Sequence, residues 1–261
     1  MLGDVPEASG LAVSRRHEGL LWTHNDSGNT PVLFAIDESG DIRGRVRVPA
    51  NMRDWEAIAA APCKSGDCLY LGDIGDNAFA RRQVQVLVVP EPDLTDARTM
   101  PPDTYTVNYP DGRHNAEAMF IAGGRLFIVT RDRGTLYGSA APLGENHSIA
   151  LQRIAPLGLK DAVVTDAEAS PDEGSVAVRT SHEVLIYRTA DLIRGDIDAL
   201  VRIPIDGLGE AQGEGVALGA LSGDTPQRRF TVWMLYLASE GRPWSRAGRF
   251  ISLRCSLPSP P

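Results

Sequence analysis

The chain lacks a long apolar run, clustered basic residues, a rich aromatic complement and the signatures of the common nucleophilic enzymes. No stretch approaches the roughly 18 apolar residues that a membrane-spanning helix needs, so no membrane insertion is expected. Lysine and arginine are scattered and the net charge is -8, which argues against a nucleic-acid-binding or lipid-docking surface. Aromatic residues make up 6%, and none cluster beside the motifs described below. Trp22 and Trp55 therefore read as packing residues rather than sugar platforms, although glycoside hydrolysis by a carboxylate pair stays open. A Gly-x-Ser-x-Gly elbow, His-Glu-x-x-His, a P-loop and Gly-x-Gly-x-x-Gly are all absent. A serine-nucleophile hydrolase or a nucleotide enzyme is thus disfavoured.

Cysteine is scarce, with three residues. Cys63 and Cys68 flank the turn-like Lys-Ser-Gly-Asp and would close a small loop if oxidised. Two thiolates alone make a poor zinc site, and no ligand-spaced His or Cys set completes one. Disulfide and free thiols stand about equal at this point, and Cys255 is left over as a buried thiol or the partner of a residue outside this chain. Met1-Leu-Gly-Asp-Val-Pro lacks the basic and apolar regions of a secretion leader. The cysteine usage tilts the expectation toward a periplasmic or extracellular protein whose leader is not part of this chain, with a cytoplasmic one as the alternative.

A repeat is what the sequence does have. A small polar or acidic opening, followed by acidic-apolar alternation, occurs at Glu7-Ala-Ser-Gly-Leu-Ala, Asp54-Trp-Glu-Ala-Ile-Ala, Asn115-Ala-Glu-Ala-Met-Phe, Asp166-Ala-Glu-Ala-Ser and Gln212-Gly-Glu-Gly-Val-Ala. The period is about 50 residues, the size of one supersecondary unit in a repeat architecture. Each copy opens a short strand, then a turn and a more apolar strand: Leu20–His24, Cys68–Gly72, Leu126–Thr130, Val176–Arg179 and Thr231–Leu237. Such continuous apolar runs suit strands buried on both faces. Third and fourth strands follow at Val32–Ile36 and Arg43–Val48, Val84–Val89 and Tyr105–Tyr109, and Val184–Tyr187 and Leu200–Pro204. Helical periodicity is nearly absent, with one short helix predicted over Ala190–Ala199. Four-stranded antiparallel units of this length describe an all-β fold, a β-propeller of five four-stranded blades, with six possible and a β-sandwich as runner-up. The repeat runs from end to end without a linker, which predicts one domain over 1–261. The last unit lacks an outer strand after Phe250–Cys255, and the stretch before Ser9 is expected to supply it.

In a propeller the first strand of each blade lines a central channel, and residues two apart share a face. Two tiers are expected: Glu7, Asp54, Asn115, Asp166 and Gln212 in one, and Ser9, Glu56, Glu117, Glu168 and Glu214 in the other. The second strands all turn polar at the same end, at His24-Asn25-Asp26, Asp73, Arg131-Asp132, Arg179-Thr180 and Ser239-Glu240. Carboxylates gathered there must protonate, pair with a base or bind a cation. Oxygen donors from Glu, Asp, Asn and Gln select a hard cation, and the mix suits calcium. The alternative is that these side chains cap neighbouring backbone amides and hold the blades together. Gly72-Asp-Ile-Gly-Asp-Asn lacks the EF-hand spacing and reads as a turn stabilised by its own side chains. His24 and His114 fall near the expected channel mouth as candidate general bases, with a structural role the alternative for each.

The phrases Ser-Gly-Leu-Ala-Val-Ser-Arg (9–15), Leu-Trp-Thr-His-Asn-Asp-Ser-Gly (21–28), Asp-Trp-Glu-Ala-Ile-Ala (54–59) and Leu-Gly-Asp-Ile-Gly-Asp-Asn (71–77) resemble a group of bacterial, often exported β-propeller proteins of unassigned function. Tyr-Pro-Asp-Gly (109–112), Asn-Ala-Glu-Ala (115–118) and Ala-Val-Arg-Thr (177–180) extend the resemblance over nearly the whole chain. More loosely, the repeated Glu-Ala and Glu-Gly phrases are similar to phytase-like and esterase-like propellers. The acidic channel is similar to that of the calcium-dependent lactonase and phosphotriesterase propellers. That likeness implies a channel calcium whose expected ligands are Glu56, Asn115, Glu117, Asp166, Glu168 and Glu214. It departs from those families in their six-bladed spacing and usual single glutamate.

The expected function is a calcium-dependent hydrolase of a small ester, lactone or phosphoester, acting as a monomer on a small-molecule substrate. The expected catalytic groups are His24, Asp26 and Asp73, with Arg131 and Arg179 holding an anionic leaving group. The alternative is a propeller that binds a ligand or protein without turnover, with a structural metal or none.

Overall fold

The computed structural model describes residues 5–159, 162–220, 230–241 and 248–258. Strands β1 (Ala8–Val13), β2 (Leu20–Asn25), β3 (Val32–Asp37) and β4 (Ile42–Arg47) form a four-stranded sheet in chain order, every pair antiparallel. The next four, β5 (Ala57–Cys63), β6 (Gly66–Asp73), β7 (Val84–Pro90) and β8 (Asp103–Asn108), repeat this arrangement. So do β9 (Ala116–Ala122), β10 (Arg125–Thr130), β11 (Thr135–Ser139) and β12 (Ser148–Pro156). These two groups merge into one eight-stranded sheet because β12 pairs parallel with β8. A further four-stranded sheet contains β13 (Val164–Ala169), β14 (Ser175–Thr180), β15 (Glu183–Arg188) and β16 (Val201–Pro204). Strands β17 (Gln212–Ala220), β18 (Phe230–Glu240) and β19 (Arg249–Pro258) make a three-stranded sheet.

The chain is all-β. The helix predicted over Ala190–Ala199 shrinks to α1 (Thr189–Leu192). The N–H groups of Gly195 and Asp196 turn back onto the carbonyls of Leu192 and Asp191, and Gly195 takes φ +89, which ends the helix after one turn. The extra length of the second repeat lies in the 91–102 connection between β7 and β8.

The first strands of the groups adjoin one another in a closed cycle: β1 meets β5, β5 meets β9, β9 meets β13, β13 meets β17, and β17 meets β1. Apolar clusters fill the space between successive groups. Trp22, Leu33, Ile58 and Leu71 pack between the first two, and Val86, Met119 and Ile128 between the second and third. Phe120, Phe127 and Leu185 fill the next interval, followed by Ile186, Leu218 and Leu235. Leu11, Leu21, Ile36 and Tyr236 join the last group to the first. Each fully buried side chain of this kind contributes about 1.5–3 kcal/mol of burial. The second strands are buried along their centres, as their unbroken apolar runs predict, whereas β16 alternates half-buried and exposed residues as an outer strand should.

Cys63 and Cys68 form a disulfide that closes the β5–β6 hairpin. Cys255 is a free, half-buried thiol on β19, packed against the cluster between the fourth and fifth groups. The outer strand expected from the stretch before Ser9 falls in part on residues 1–4, which lie outside the described residues. Val5 is buried in the closing cluster, and the Pro6 carbonyl accepts the Gly241 N–H.

Candidate metal centre

The repeated phrases sit where the inner strands depart from regular pairing. On β9, Ala118 faces Val129 and Ala116 faces Thr130, so Glu117 is left over between them. On β17 the same jump leaves out Glu214, and on β1 it leaves out Gly10, which adopts φ +75. A bulged residue drops out of the ladder, and side-chain alternation restarts after it. Glu56 precedes β5, with its N–H donated to the Gly72 carbonyl. Glu56, Glu117 and Glu214 thereby come to line a single cavity. On β13 the left-over residue is Thr165, immediately before the acidic pair Asp166 and Glu168 that the phrase suggests. The regular two-tier arrangement expected from strand alternation is therefore replaced by one set by the bulges.

The cavity has a volume of about 160 Å³ and is lined by Ser9, Asp26, Glu56, Asn77, Glu117, Arg131, Gln212, Glu214 and Glu240. One carboxylate oxygen from each of Asp26, Asp54 and Glu56 lies within 4.8 Å of the others. Gly75 closes on this group, since a Cβ there would fall 2.5 Å from Asp54 Oδ2 and 2.8 Å from Glu56 Oε1. Glu117 forms an ion pair with Arg131, the one guanidinium lining the cavity among the described residues, while Glu117 Oε2 is buried with no partner among them. Gln212 Nε2 donates to Glu214 Oε1 over 2.5 Å. Burial, reinforced by Asp26, Asp54 and Glu214, pushes the Glu56 carboxyl up to about 9. Burial likewise pushes Glu214 up to about 7, and raises Asp26 and Glu240 above the usual carboxylate range. An all-oxygen donor set of this kind can hold a hard cation or, in its absence, protons.

The other expected site residues are placed elsewhere. Asp166 is fully buried: its Oδ2 accepts the N–H groups of Leu11 and Val216, and its Oδ1 that of Ala167. Glu168 accepts the Ala60 N–H. Burial pushes both acids well up while these amides pull them back. They tie β13 to β1, β17 and β5, and do not line the cavity. Asn115 accepts the Asp76 N–H and donates to Asn77, so it supports the cavity wall rather than forming it. Asp73 pairs with Arg81 at 2.9 Å and accepts the Asp54 N–H, while Asp76 accepts the N–H groups of Ala80 and Arg81. The Gly72–Asn77 turn is thus held by its own side chains.

His24 is fully buried and stacked on Trp55 with ring centres 3.9 Å apart; burial holds it neutral, its pKa lowered to about 3. His114 pairs with Asp111 at 2.9 Å and does not line the cavity. Arg179 runs beneath the β17 bulge, donating from Nη1 to the carbonyls of Gly215 and Ala238 and from Nη2 to Glu210. The glycine of Gln-Gly-Glu-Gly is required there, because a Cβ on Gly213 would lie 1.6 Å from Arg179 Nη2. Arg179 thus props the segment that presents Glu214. Asp54 and Glu240 join the site without having been expected as ligands. Both were visible in the sequence as acids, one inside a repeat phrase and one at a polar strand end, but their convergence depends on the bulges.

No protein-family model and no curated protein matches the chain. Solved structures to which it is similar include a complex of KlAtg21 with the coiled coil of AgAtg16. That match has a TM-score of 0.42 and 9% identity, covering 92% of this chain and 68% of the other. A candidate 6-phosphogluconolactonase from Bacteroides uniformis is similar at a TM-score of 0.45 and 12% identity, covering 97% of this chain and 72% of the other.

Proposed function

We propose that the chain is a five-bladed β-propeller that binds calcium in the carboxylate cavity and hydrolyses a small ester, lactone or phosphoester there. The observation that carries this reading is the crowding of Asp26, Glu56, Glu117, Glu214 and Glu240 around about 160 Å³ with one guanidinium between them. The residues fit the ion: every acidic donor is oxygen, and the buried Glu117 Oε2 lacks a partner among the described residues. Asp26, Asp54 and Glu56 are the ligands by mutual distance, with Glu117 and Glu214 completing the donor set. When bound, calcium supplies Lewis-acid polarisation of a carbonyl or phosphoryl oxygen. The chain's own residues do the remaining work. Glu240, half-buried at the cavity, takes a proton from the attacking water. Arg131, held by Glu117 and about a third exposed, holds the anionic leaving group. Arg179 is committed to Glu210 and to backbone carbonyls, and His24 is shut off from the cavity by burial.

The closed cycle of first strands, with an apolar cluster in each interval, supports five blades. The Cys63–Cys68 disulfide supports an oxidising compartment, periplasmic or extracellular. Phe79 and Met100 are the exposed large hydrophobics among the described residues, and so small a number of them supports a monomer. A second reading, a binding propeller without turnover, draws on Asp166 and Glu168, whose acids hold strands together. Turnover of aryl esters, lactones and phosphotriesters, measured with calcium and after chelation, separates the two. Calcium-dependent turnover of one class is expected. Turnover retained in demonstrably metal-free protein overturns the metal, and none with calcium bound supports the binding reading.

A further inference from the structure

The outer edge of the first sheet and the 91–102 connection bound a cavity of about 440 Å³ that shares no residue with the carboxylate cavity. Arg47 ends β4, and Arg98 sits beside it through a parallel bridge. The Arg47 N–H donates to the Ala97 carbonyl, and the Thr99 N–H donates to the Arg47 carbonyl. Residues directly opposed across such a bridge project from the same face, with backbones about 5 Å apart. Both arginines line the cavity. The connection that carries Arg98 is anchored at its start, where buried Glu91 accepts the Ser14 hydroxyl, the Arg15 N–H and the Trp22 indole N–H.

Like charges placed side by side on one face repel. Arg47 and Arg98 are both exposed, and neither guanidinium makes an ion pair or hydrogen bond among the described residues. No carboxylate among the described residues lines the cavity, although the chain carries a net charge of -8. The acids of the same connection are committed elsewhere: Asp93 pairs with Arg16, and Asp96 accepts the Asp93 N–H. Thr30 and Asn51 add a hydroxyl and an amide to the lining, and Pro31 and Pro49 give it an apolar wall. A ligand that relieves the repulsion must bring negative charge to both guanidinium groups. A carboxylate has one charge and two oxygens, which a single guanidinium fork satisfies. A tetrahedral dianion has the charge and the oxygens for both forks.

We propose that this cavity binds a tetrahedral dianion, the phosphate of a small phosphomonoester or inorganic phosphate, between the guanidinium groups of Arg47 and Arg98. The site is independent of the carboxylate cavity and stands whether or not that cavity holds calcium. Two guanidinium groups are too few to hold a polyanion, which needs many phosphate contacts. The cavity volume falls in the range of small-ligand sites and leaves room for an organic group against Pro31 and Pro49. The extra length of the second repeat thereby acquires a role, because without the 91–102 connection β4 would present Arg47 alone.

The test is isothermal titration of inorganic phosphate and glycerol 2-phosphate at about pH 8, where both are doubly charged, with acetate as the singly charged probe. Protein is titrated as purified and after chelation. At least one dianion is expected to bind both samples, and acetate to bind more weakly. Tighter binding of glycerol 2-phosphate assigns the site to an organic ester, and equal or tighter binding of phosphate assigns it to the free anion. Arg47→Gln and Arg98→Gln should each weaken the binding about tenfold or more, the worth of a hydrogen bond to a charged group. Arg98→Lys keeps the charge without the fork and should fall between Arg98→Gln and the parent. Arg202→Gln, at an exposed arginine paired with Glu183, should leave the affinity unchanged. Because the Arg98 guanidinium has no partner among the described residues, Arg98→Gln should melt no lower than the parent in phosphate-free buffer. A lower melting temperature in that variant would make the guanidinium a structural group and overturn the proposal. Undiminished binding by either Gln variant, acetate as tight as the dianions, binding lost on chelation, or no dianion binding does the same. Dianion binding by a protein that takes up no calcium would leave this site standing and remove the metal from the other.

Discussion

Asp166 and Glu168 stand in the repeated phrase just as Glu117 does, yet they spend their oxygens on the backbone of neighbouring strands. Burial and donors, rather than residue type, divide the acids of this chain into two kinds. Asp166→Asn replaces an acceptor with a donor opposite buried N–H groups, so a loss of about 1–3 kcal/mol is expected in denaturant unfolding, with calcium affinity unchanged. The cavity acids should show themselves through pH. Glu56 and Glu214 titrate near 9 and 7 in the folded protein against 4.5 in the unfolded chain, so the folded state holds protons that the unfolded state releases. Stability of the metal-free protein should therefore fall as pH rises above 4.5, through 7 as Glu214 ionises and on to 9 with Glu56. His24 acts in the opposite sense: its pKa is near 3 when folded and 6.5 when unfolded, so it removes stability as pH falls below 6.5. Between pH 7 and 9 it is neutral in both states, and melting points across that window read the glutamates. Added calcium should flatten the decline, and a flat profile without calcium would contradict the placement of these acids.

At the scale of elements, the apolar second strands and the turn at Lys-Ser-Gly-Asp (64–67) were legible because strand patterning and turn chemistry act locally. Leu126–Thr130 and Val184–Tyr187 fall inside β10 and β15. The bulges were not legible. Gln-Gly-Glu-Gly and Asp-Ala-Glu-Ala look interchangeable in sequence, and only the pairing with β18 and β14 shows Glu214 out of the ladder in one and Thr165 in the other. The one visible hint was glycine on both sides of Glu214, explained by the Arg179 guanidinium against Gly213 and its hydrogen bond to the Gly215 carbonyl. Gly213→Ala should displace Arg179 and leave Glu210 as an unpaired buried charge. A loss of about 3–5 kcal/mol is expected in denaturant unfolding, the cost of breaking a buried ion pair. A change below about 0.5 kcal/mol, the ordinary range for surface substitutions, would show that Arg179 is not the strut described here.

Across the whole molecule, five inner strands meet in a cycle and bring residues from the first, second, third and fifth groups to a single cavity. Residues as far apart in the chain as Asp26 and Glu240 become neighbours through that closure alone, so the carboxylate cavity is a property of the ring and not of any one sheet. The central claim is that this cavity holds a divalent cation. Elemental analysis of the purified protein, paired with melting curves before and after chelation, tests it most directly. Roughly one calcium per chain, with a lower melting temperature once it is removed, is the expected result. A metal-free protein whose melting temperature does not respond to calcium or to chelator would contradict it, and would leave the cavity acids as proton-bearing structural groups.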